Sequence, residues 1–380
     1  MTKILHISFD YAEDNLGVST VVIAELINET AKFADVEIIS LKRTVNPLQE
    51  QIKWNDGKKL LSYNSFGLPY GIFLKNNMKR IFNNLDKYQF KSTLDFNSID
   101  IVHSHKMTFE GFVGYYIAKK YNKKFFVSLR QTDFFVLNNR SGLRGFCKKV
   151  LTQADRIFYI APYMLDRLKI FFGVDFFNEV LEKKLVYLPN SLDIKKFKFS
   201  QIDPKGNLLT IQWLKKNIIK RKNLYRLFEA IKLIKYEKIK LDVIGYGDYE
   251  KEIKNWVKKL GIEGRVNFLG FIRNEEISSY LNSAKAFLMP SLNETFGVAY
   301  AEALLCGTPI MYSKGTGFDG VFQDVGVAVD PFSVESIAKG IEKIIERNDF
   351  FLFNIKRLHD DNAFQIFTRE HISKVYKHCI

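Results

Sequence analysis

Apolar residues along the chain come in short runs, separated by longer stretches in which they recur three or four positions apart. "KILHIS" (3–8), "DVEIISL" (35–41), "DIVHSH" (100–105), "KFFVSL" (124–129), "DRIFYI" (155–160) and "KLVYLP" (184–189) have the length and composition of buried strands. Between them, "GVSTVVIAELINETAKF" (17–33) sets Val21, Val22, Leu26 and Ile27 on one helical face. The alternation then starts again. Strands are predicted at 207–213, 239–245, 265–270, 284–289, 308–313 and 325–330. Helices are predicted over "KNLYRLFEAIKLI", "YEKEIKNWVKKLG", "NEEISSYLNS" and "VAYAEALLCG". Strands alternating with helices predict parallel sheets with crossover helices.

The restart predicts two α/β domains in tandem. They join where "PNSLDIKKFKFSQIDPKGN" (189–207) is polar and without period. An open α/β sheet takes its ligand outside the carboxyl ends of its strands, and two such domains predict a cleft between them. Composition narrows the class. At 47% apolar residues, the 380-residue chain has material for full cores. Cys147, Cys306 and Cys379 are too few and too scattered for a disulfide framework or a zinc site, which predicts a reducing compartment. "MTKILHISFD" reads as a strand and not as a signal peptide, and no apolar run approaches the ~18 residues of a spanning helix. A soluble, cytoplasmic protein is expected.

Charge adds a partner class. The formal net charge is +15, and residues 51–150 hold 18 Lys plus Arg against 6 Asp plus Glu. Such a basic face implies an anionic partner: nucleic acid, anionic lipid or a phosphorylated substrate. No nucleic-acid reader motif occurs, so nucleic acid is not expected.

Candidate chemistry clusters at strand ends in the second half. "VIGYGDYE" puts Gly245 and Gly247 between a strand and a helix, where glycine permits close backbone approach. "KRKNLYRLFEA" puts Lys220, Arg221 and Lys222 before a predicted helix start, a setting suited to phosphate. "MPSLNETFGVAYAEALLCGTPI" (289–310) is the most specific stretch. The amides of Phe296, Gly297 and Val298 fall at a helix start and favour an anion. Glu302 follows inside that helix among Ala301, Ala303 and Leu304, and Glu294 stands in the turn before it. Buried carboxylates are costly unless they bind something. Glu302 suits the paired hydroxyls of a ribose, and Glu294 suits sugar hydroxyls or a developing positive charge.

With these residues the chain resembles the retaining glycosyltransferases of family 4, which have the GT-B fold. Glu294 and Glu302 have the spacing of that family's Glu-x7-Glu pair. Pro290-Ser291, Phe296-Gly297, Glu302-Ala303 and Gly307-x-Pro309 surround it as in the family, and "PNSLDIKKF" (189–197) is similar to the segment closing its first domain. The likeness is strongest over 207–340. It implies two Rossmann-like α/β/α domains facing a central cleft: residues 1–195 for the acceptor and 196–363 for the nucleotide-sugar, with a helix at 364–380 returning to the first. It implies transfer of a hexose from a nucleotide-sugar, UDP-sugar foremost, with retention. Glu302 would hold the ribose, and Glu294, beside Thr295, would contact the donor sugar. Lys222 would bind the diphosphate, and the amides at 296–298 the distal phosphate and sugar. Gly17 and Gly247 would let backbone approach the donor. No Asp-x-Asp motif occurs, so metal-independent transfer without a further cofactor is expected.

The pattern departs from the family in two places. Gln212-Trp213 stands where a Gly-Arg that pairs with the diphosphate is common, leaving Lys215, Lys216, Lys220 or Arg221 as substitutes. Arg130 stands where many members have a histidine, with Asp133 after it. Arginine cannot act as a base but can bind a sugar. Arg130, Asp133 and His105 are therefore the expected acceptor contacts, with Arg130 beside Glu294 and Lys222 as the catalytic set. The departures leave an alternative, a non-catalytic glycosyltransferase-like partner of another enzyme. "LPYGIFLKNNMKRIFNNLDKYQFK" (68–91) and "RSGLRGFCKK" (140–149) mix basic with apolar residues, as segments lying on an anionic membrane do. The expected acceptor is thus a lipid-linked or surface-polysaccharide glycan in a bacterium, with the enzyme peripheral to the inner face of the plasma membrane.

Overall fold

The computed structural model describes residues 1–9, 22–41, 95–199 and 206–380, together with the backbone of two strands at 51–55 and 58–63. Gly17 and the segment 68–91 lie outside the described residues. The chain divides into two compact units. One comprises Met1–Ile160, Met164–Ser191 and Arg369–Ile380; the other comprises Ala161–Tyr163 and Leu192–Thr368.

The first unit is built on an eight-stranded sheet. Its strands are β1 (Lys3–Phe9), β2 (Asp35–Leu41), β3 (Gln51–Asn55), β4 (Lys58–Tyr63), β5 (Ile101–Ser104), β6 (Lys124–Leu129), β7 (Arg156–Tyr159) and β8 (Leu185–Tyr187), in the order β3-β4-β2-β1-β5-β6-β7-β8. All neighbours are parallel except β3 and β4. β1 and β5 are buried nearly throughout because a parallel sheet is covered on both faces. The C-terminal helix, Arg369–Cys379, packs Ile372 and Tyr376 against Ile4, Ile101, Phe126 and Phe158. The β3–β4 pair is absent from the sequence-based expectation. β3 alternates polar and apolar residues but over only five positions with two apolar side chains, and β4 does not alternate, so their signal is weak. Asp56-Gly57 between them is nonetheless a favoured hairpin dipeptide.

The second unit is a six-stranded parallel sheet. It contains β9 (Leu208–Ile211), β10 (Leu241–Ile244), β11 (Val266–Gly270), β12 (Ala286–Leu288), β13 (Ile310–Ser313) and β14 (Gly326–Val329), ordered β11-β10-β9-β12-β13-β14. That is the doubly wound Rossmann order, and the direction of winding reverses between β9 and β12. Helices Leu224–Leu233 and Val334–Glu346 pack Phe228, Ile231 and Ile341 onto Leu208, Leu241 and Met311. Helix Val334–Glu346 starts where the Ser333 side chain accepts a hydrogen bond from the Ser336 amide. Lys220–Lys222 do not precede a helix as an open loop. They form the last turn of a short helix, Lys216–Lys222, which Asn223 ends in the left-handed conformation before Leu224 begins the next. Cations suit that carboxyl-terminal turn, where carbonyls carry the negative end of the dipole. Among the described residues no helix is long and apolar enough to cross a membrane.

Candidate active site

In the second unit the predicted residues gather at the switch point, where β9 and β12 end. The turn after β12 is tightly held. Tyr300 donates its buried hydroxyl to the Met289 carbonyl, and the Asn223 amide donates to the carbonyls of Pro290 (3.0 Å) and Pro331 (2.6 Å). The Glu294 amide donates to Thr316 Oγ1 at 3.1 Å, and the Thr316 hydroxyl donates to the Glu294 carbonyl at 2.7 Å. Gly297 precedes helix Val298–Leu305 with φ +83°. A Cβ there would overlap the Tyr300 ring, so no other residue fits without strain. The Phe296 side chain is buried edge-on against Phe318 and Phe367, so only its backbone faces a ligand. The amides of 296–298 donate no hydrogen bond among the described residues, as an anion site at a helix start requires.

Two carboxylates sit on this frame in different states. The Glu294 Oε2 atom pairs with Lys222 Nζ at 2.5 Å, both side chains being largely covered. Its other oxygen accepts from the Thr295 amide at 3.2 Å. Glu302 has no such partner among the described residues. It is mostly buried, and that burial raises its pKa, with Lys196 opposing the shift. It lines a cavity of about 310 Å³ together with Arg221, Lys222, Gln212 and Trp213. Gly245 also lines this cavity, whereas Gly247 packs against the Leu214 backbone, where a Cβ would overlap the carbonyl. Of the expected substitute cations, Arg221 reaches the cavity wall, and Lys215 holds its ammonium 5.5 Å from the Trp213 ring.

In the first unit, Arg130 follows β6 and donates from Nη1 to Asn190 Oδ1 at 3.0 Å. Its Nε is buried without a hydrogen-bond partner among the described residues. Burial lowers the guanidinium pKa to about 10 against the opposing pull of Asp133 and Glu110, so it stays charged at neutral pH. Asp133 is fully buried, and the chain itself occupies its carboxylate. Oδ1 accepts from the Thr108 amide (2.8 Å) and hydroxyl (2.6 Å), and Oδ2 accepts from the Arg130 amide (2.9 Å). The geometry therefore gives Asp133 the work of fixing the Arg130 turn.

His105 is also fully buried and lies in a cluster whose third member, His6, was not anticipated from the sequence. β1 pairs His6 with His103 across the ladder, which puts both on the face that His105 shares. His6 Nδ1 and His105 Nε2 are 3.1 Å apart, while His103 is held by the Tyr376 hydroxyl (2.7 Å) and Ser128 Oγ (2.9 Å). The nearest nitrogens of the three rings lie within 4.8 Å of one another. Nitrogens around one zinc ion stand closer, about 3.3 Å apart for bonds of ~2.0–2.1 Å. Both His103 nitrogens are engaged, and Arg130 lies near enough to depress the His103 and His105 pKa values. The trio thus reads as a hydrogen-bonded core cluster. Glu110 was also missed: buried at a helix start, it accepts from the Phe9 amide (3.2 Å) and Lys106 (2.8 Å). Its signal was a carboxylate opening the apolar run "EGFVGYYIA".

The fold and this site define a class. Residues 196–356, most of the second unit, match the family model described as glycosyl transferases group 1. Over these residues, about two fifths of the chain, the sequence is similar to that family. The chain is 24% identical over 234 residues to an uncharacterized glycosyltransferase of Methanocaldococcus jannaschii, covering 62% of this chain and 61% of the relative. It is 31% identical over 125 residues to the O-antigen chain mannosyltransferase B of Escherichia coli, covering 32% and 33%. The chain thus spans from a third to three fifths of the length of these curated relatives. Sucrose-phosphate synthase from Thermosynechococcus elongatus superposes with a TM-score of 0.68 at 18% identity, over 100% of this chain and 99% of that one. The apo lipopolysaccharide outer core galactosyltransferase WaaB gives 0.67 at 16%, over 100% and 99%. Anabaena HepE in complex with UDP gives 0.63 at 15%, over 100% and 99%. At such identities the likeness shows the fold, which is GT-B.

Proposed function

We propose that this protein is a glycosyltransferase that moves a hexose from a nucleoside diphosphate sugar, UDP-sugar foremost, to a lipid-linked or surface-polysaccharide glycan. Transfer proceeds with retention and without a metal ion. One observation carries the reading. Glu302 is a mostly buried carboxylate with no partner among the described residues, facing a cavity beside Lys222 at the switch point of a Rossmann sheet. The group 1 match and the solved relative bound to UDP support it. They do not favour the non-catalytic alternative.

The roles follow from the geometry. Glu302 accepts hydrogen bonds from the ribose hydroxyls. The free amides of Phe296, Gly297 and Val298 take the distal phosphate and sugar, beside Glu294 and Thr295. Lys222 exchanges its bond to Glu294 for the diphosphate, which frees Glu294 for the donor sugar. As the anomeric C–O bond breaks, charge grows on the departing phosphate, where Lys222 and the helix amides stabilise it. The acceptor hydroxyl attacks from the same face and passes its proton to a phosphate oxygen. Gly245 and Gly247 keep the loop after β10 against the loop after β9, and Gly17 belongs to the same donor reading. Arg130 contacts the acceptor, with His105 behind it and Asp133 holding the turn. We place the enzyme in the cytoplasm of a bacterium, at the inner face of the plasma membrane. There the 140–149 segment meets anionic lipid.

The test is thermal shift with a panel of UDP-, GDP- and ADP-sugars, with Glu302→Ala alongside. The expected result is stabilisation by one nucleotide class, of about 2–3 kcal/mol at a hundredfold excess over Kd, lost in the variant. Stabilisation by none of them would sink the reading.

A further inference from the structure

The first unit holds a charge that its own fold leaves unanswered. Arg130, directly after β6, lines a small cavity built by this unit alone, and among the described residues it is the one charged group on the wall. Its Nη1 donates to Asn190 Oδ1, whereas Nε and Nη2 donate to nothing among the described residues. The acids nearby are committed elsewhere. Asp133 gives its oxygens to Thr108 and to the Arg130 amide, not to the guanidinium. Glu110 holds Lys106 and the Phe9 amide, and Glu25 holds Ser191 and Arg369. The serines on the wall are engaged too, Ser128 with His103 and Ser191 with Glu25. Ile160, Leu188 and Ile372 make the rest of the wall apolar. A cation held out of water without a counter-charge destabilises the fold that keeps it, and a ligand that supplies the charge removes that cost.

We infer that this cavity is the subsite for a carboxylate carried by the acceptor, so that the glycan presents an acidic sugar to Arg130. This rests on the reading of Arg130 as an acceptor contact. The geometry selects the group. Nε and Nη2 lie along one edge of the planar guanidinium and match the two oxygens of a carboxylate, while the Asn190 bond to Nη1 fixes the plane. The cavity measures about 20 Å³, room for one or two water-sized atoms. A carboxylate enters it, a phosphate with its four oxygens fits poorly, and the sugar ring stays outside. The apolar wall keeps water from screening the pair. The inference also gives the departure at this position a purpose. A neutral histidine, common here in the glycosyltransferases the chain resembles, offers a single N–H, whereas arginine offers a charged fork.

Ligand-observed NMR titration of the full chain tests this. The probes are methyl glucuronoside, methyl glucoside and inorganic phosphate, set against the wild type, Arg130→Gln and Arg130→Lys. The two sugars differ only in a carboxylate against a hydroxymethyl group. The wild type should bind the glucuronoside about tenfold or more tightly than the glucoside or phosphate. That preference should vanish in Arg130→Gln and largely vanish in Arg130→Lys, which keeps the charge and loses the fork. Thermal unfolding separates this from a structural role. Unliganded Arg130→Gln should melt no lower than the wild type, because the substitution removes an unpaired cation. A wild type that binds both sugars equally, or phosphate more tightly, would overturn the inference, as would a large loss of stability in Arg130→Gln. UDP-, GDP- and ADP-sugars titrated alongside keep the two readings apart. Nucleotide binding by a wild type that shows no glucuronoside preference overturns this inference alone, whereas no nucleotide binding overturns the transferase reading beneath it.

Discussion

Lys222 and Glu294 occupy each other in this structure, and that pairing has two consequences. Each side chain is largely covered, 16% and 13% exposed, so neither charge is well solvated alone. Replacing Lys222 by Met leaves Glu294 without its cation and removes the donor's diphosphate contact at once. Lys222→Met should destabilise the fold by about 1–3 kcal/mol in denaturant titration. It should also lower turnover by about 10²–10³-fold, read from released nucleoside diphosphate. The double variant Lys222→Met/Glu294→Gln separates the effects. It should recover most of the stability, because the unpaired charge is gone, and none of the activity. Recovery of activity in the double variant would mean that the lysine serves only to neutralise the glutamate.

The elements show what the sequence discloses and what it withholds. Parallel strands buried on both faces are mostly short apolar runs, so β9 and β12 were plain from composition, and β1 and β5 were legible despite the His6, Ser8, His103 and Ser104 they bury. The β3–β4 hairpin was not, because β3 has only two apolar residues and β4 does not alternate. In the site, Glu294, Glu302 and Gly297 were legible because one continuous turn and helix carries them. The histidine cluster was not, because His6, His103 and Tyr376 are brought together only by sheet pairing and the return of the last helix. Asp133 likewise looked free in sequence and is spent on Thr108 and Arg130, residues that only the fold makes its neighbours. The last helix therefore matters beyond its apolar contacts. Tyr376→Phe keeps its packing and removes the 2.7 Å partner of His103. It should cost about 1–3 kcal/mol by chemical denaturation, as for a buried polar group left unsatisfied. A cost near zero would mean that His103 finds another partner.

At the scale of the whole chain, acid should act unequally on the two units. His6, His103 and His105 are buried and neutral, and all belong to the first unit. Burial lowers the His6 pKa to about 3 and holds the other two well below their ordinary value, with neighbouring rings and Arg130 adding to the shift. In the unfolded chain these rings take protons from about pH 6.5. Below that pH the unfolded state binds more protons than the folded one, so stability falls as pH falls. Their contribution is complete above about 6.5, and each ring costs up to about 1.4 kcal/mol per pH unit on the way down. Asp133 acts in the opposite sense: burial raises its pKa, so the folded carboxyl is protonated first as the pH drops. That gain sets in above the ordinary carboxylate value of about 4 and is complete below it, so it offsets part of the loss, one carboxyl against three rings. The second unit holds one histidine lowered by burial, His359, which is only half-buried, and its Glu302 is shifted upward like Asp133. Samples held at pH 7.5 or 5.0 and pulse-labelled with deuterium at one common pH should show protection lost first in β1, β5 and β6. The second unit's β9 and β12 should hold. Equal loss in both units would mean that the buried histidines do not govern acid stability.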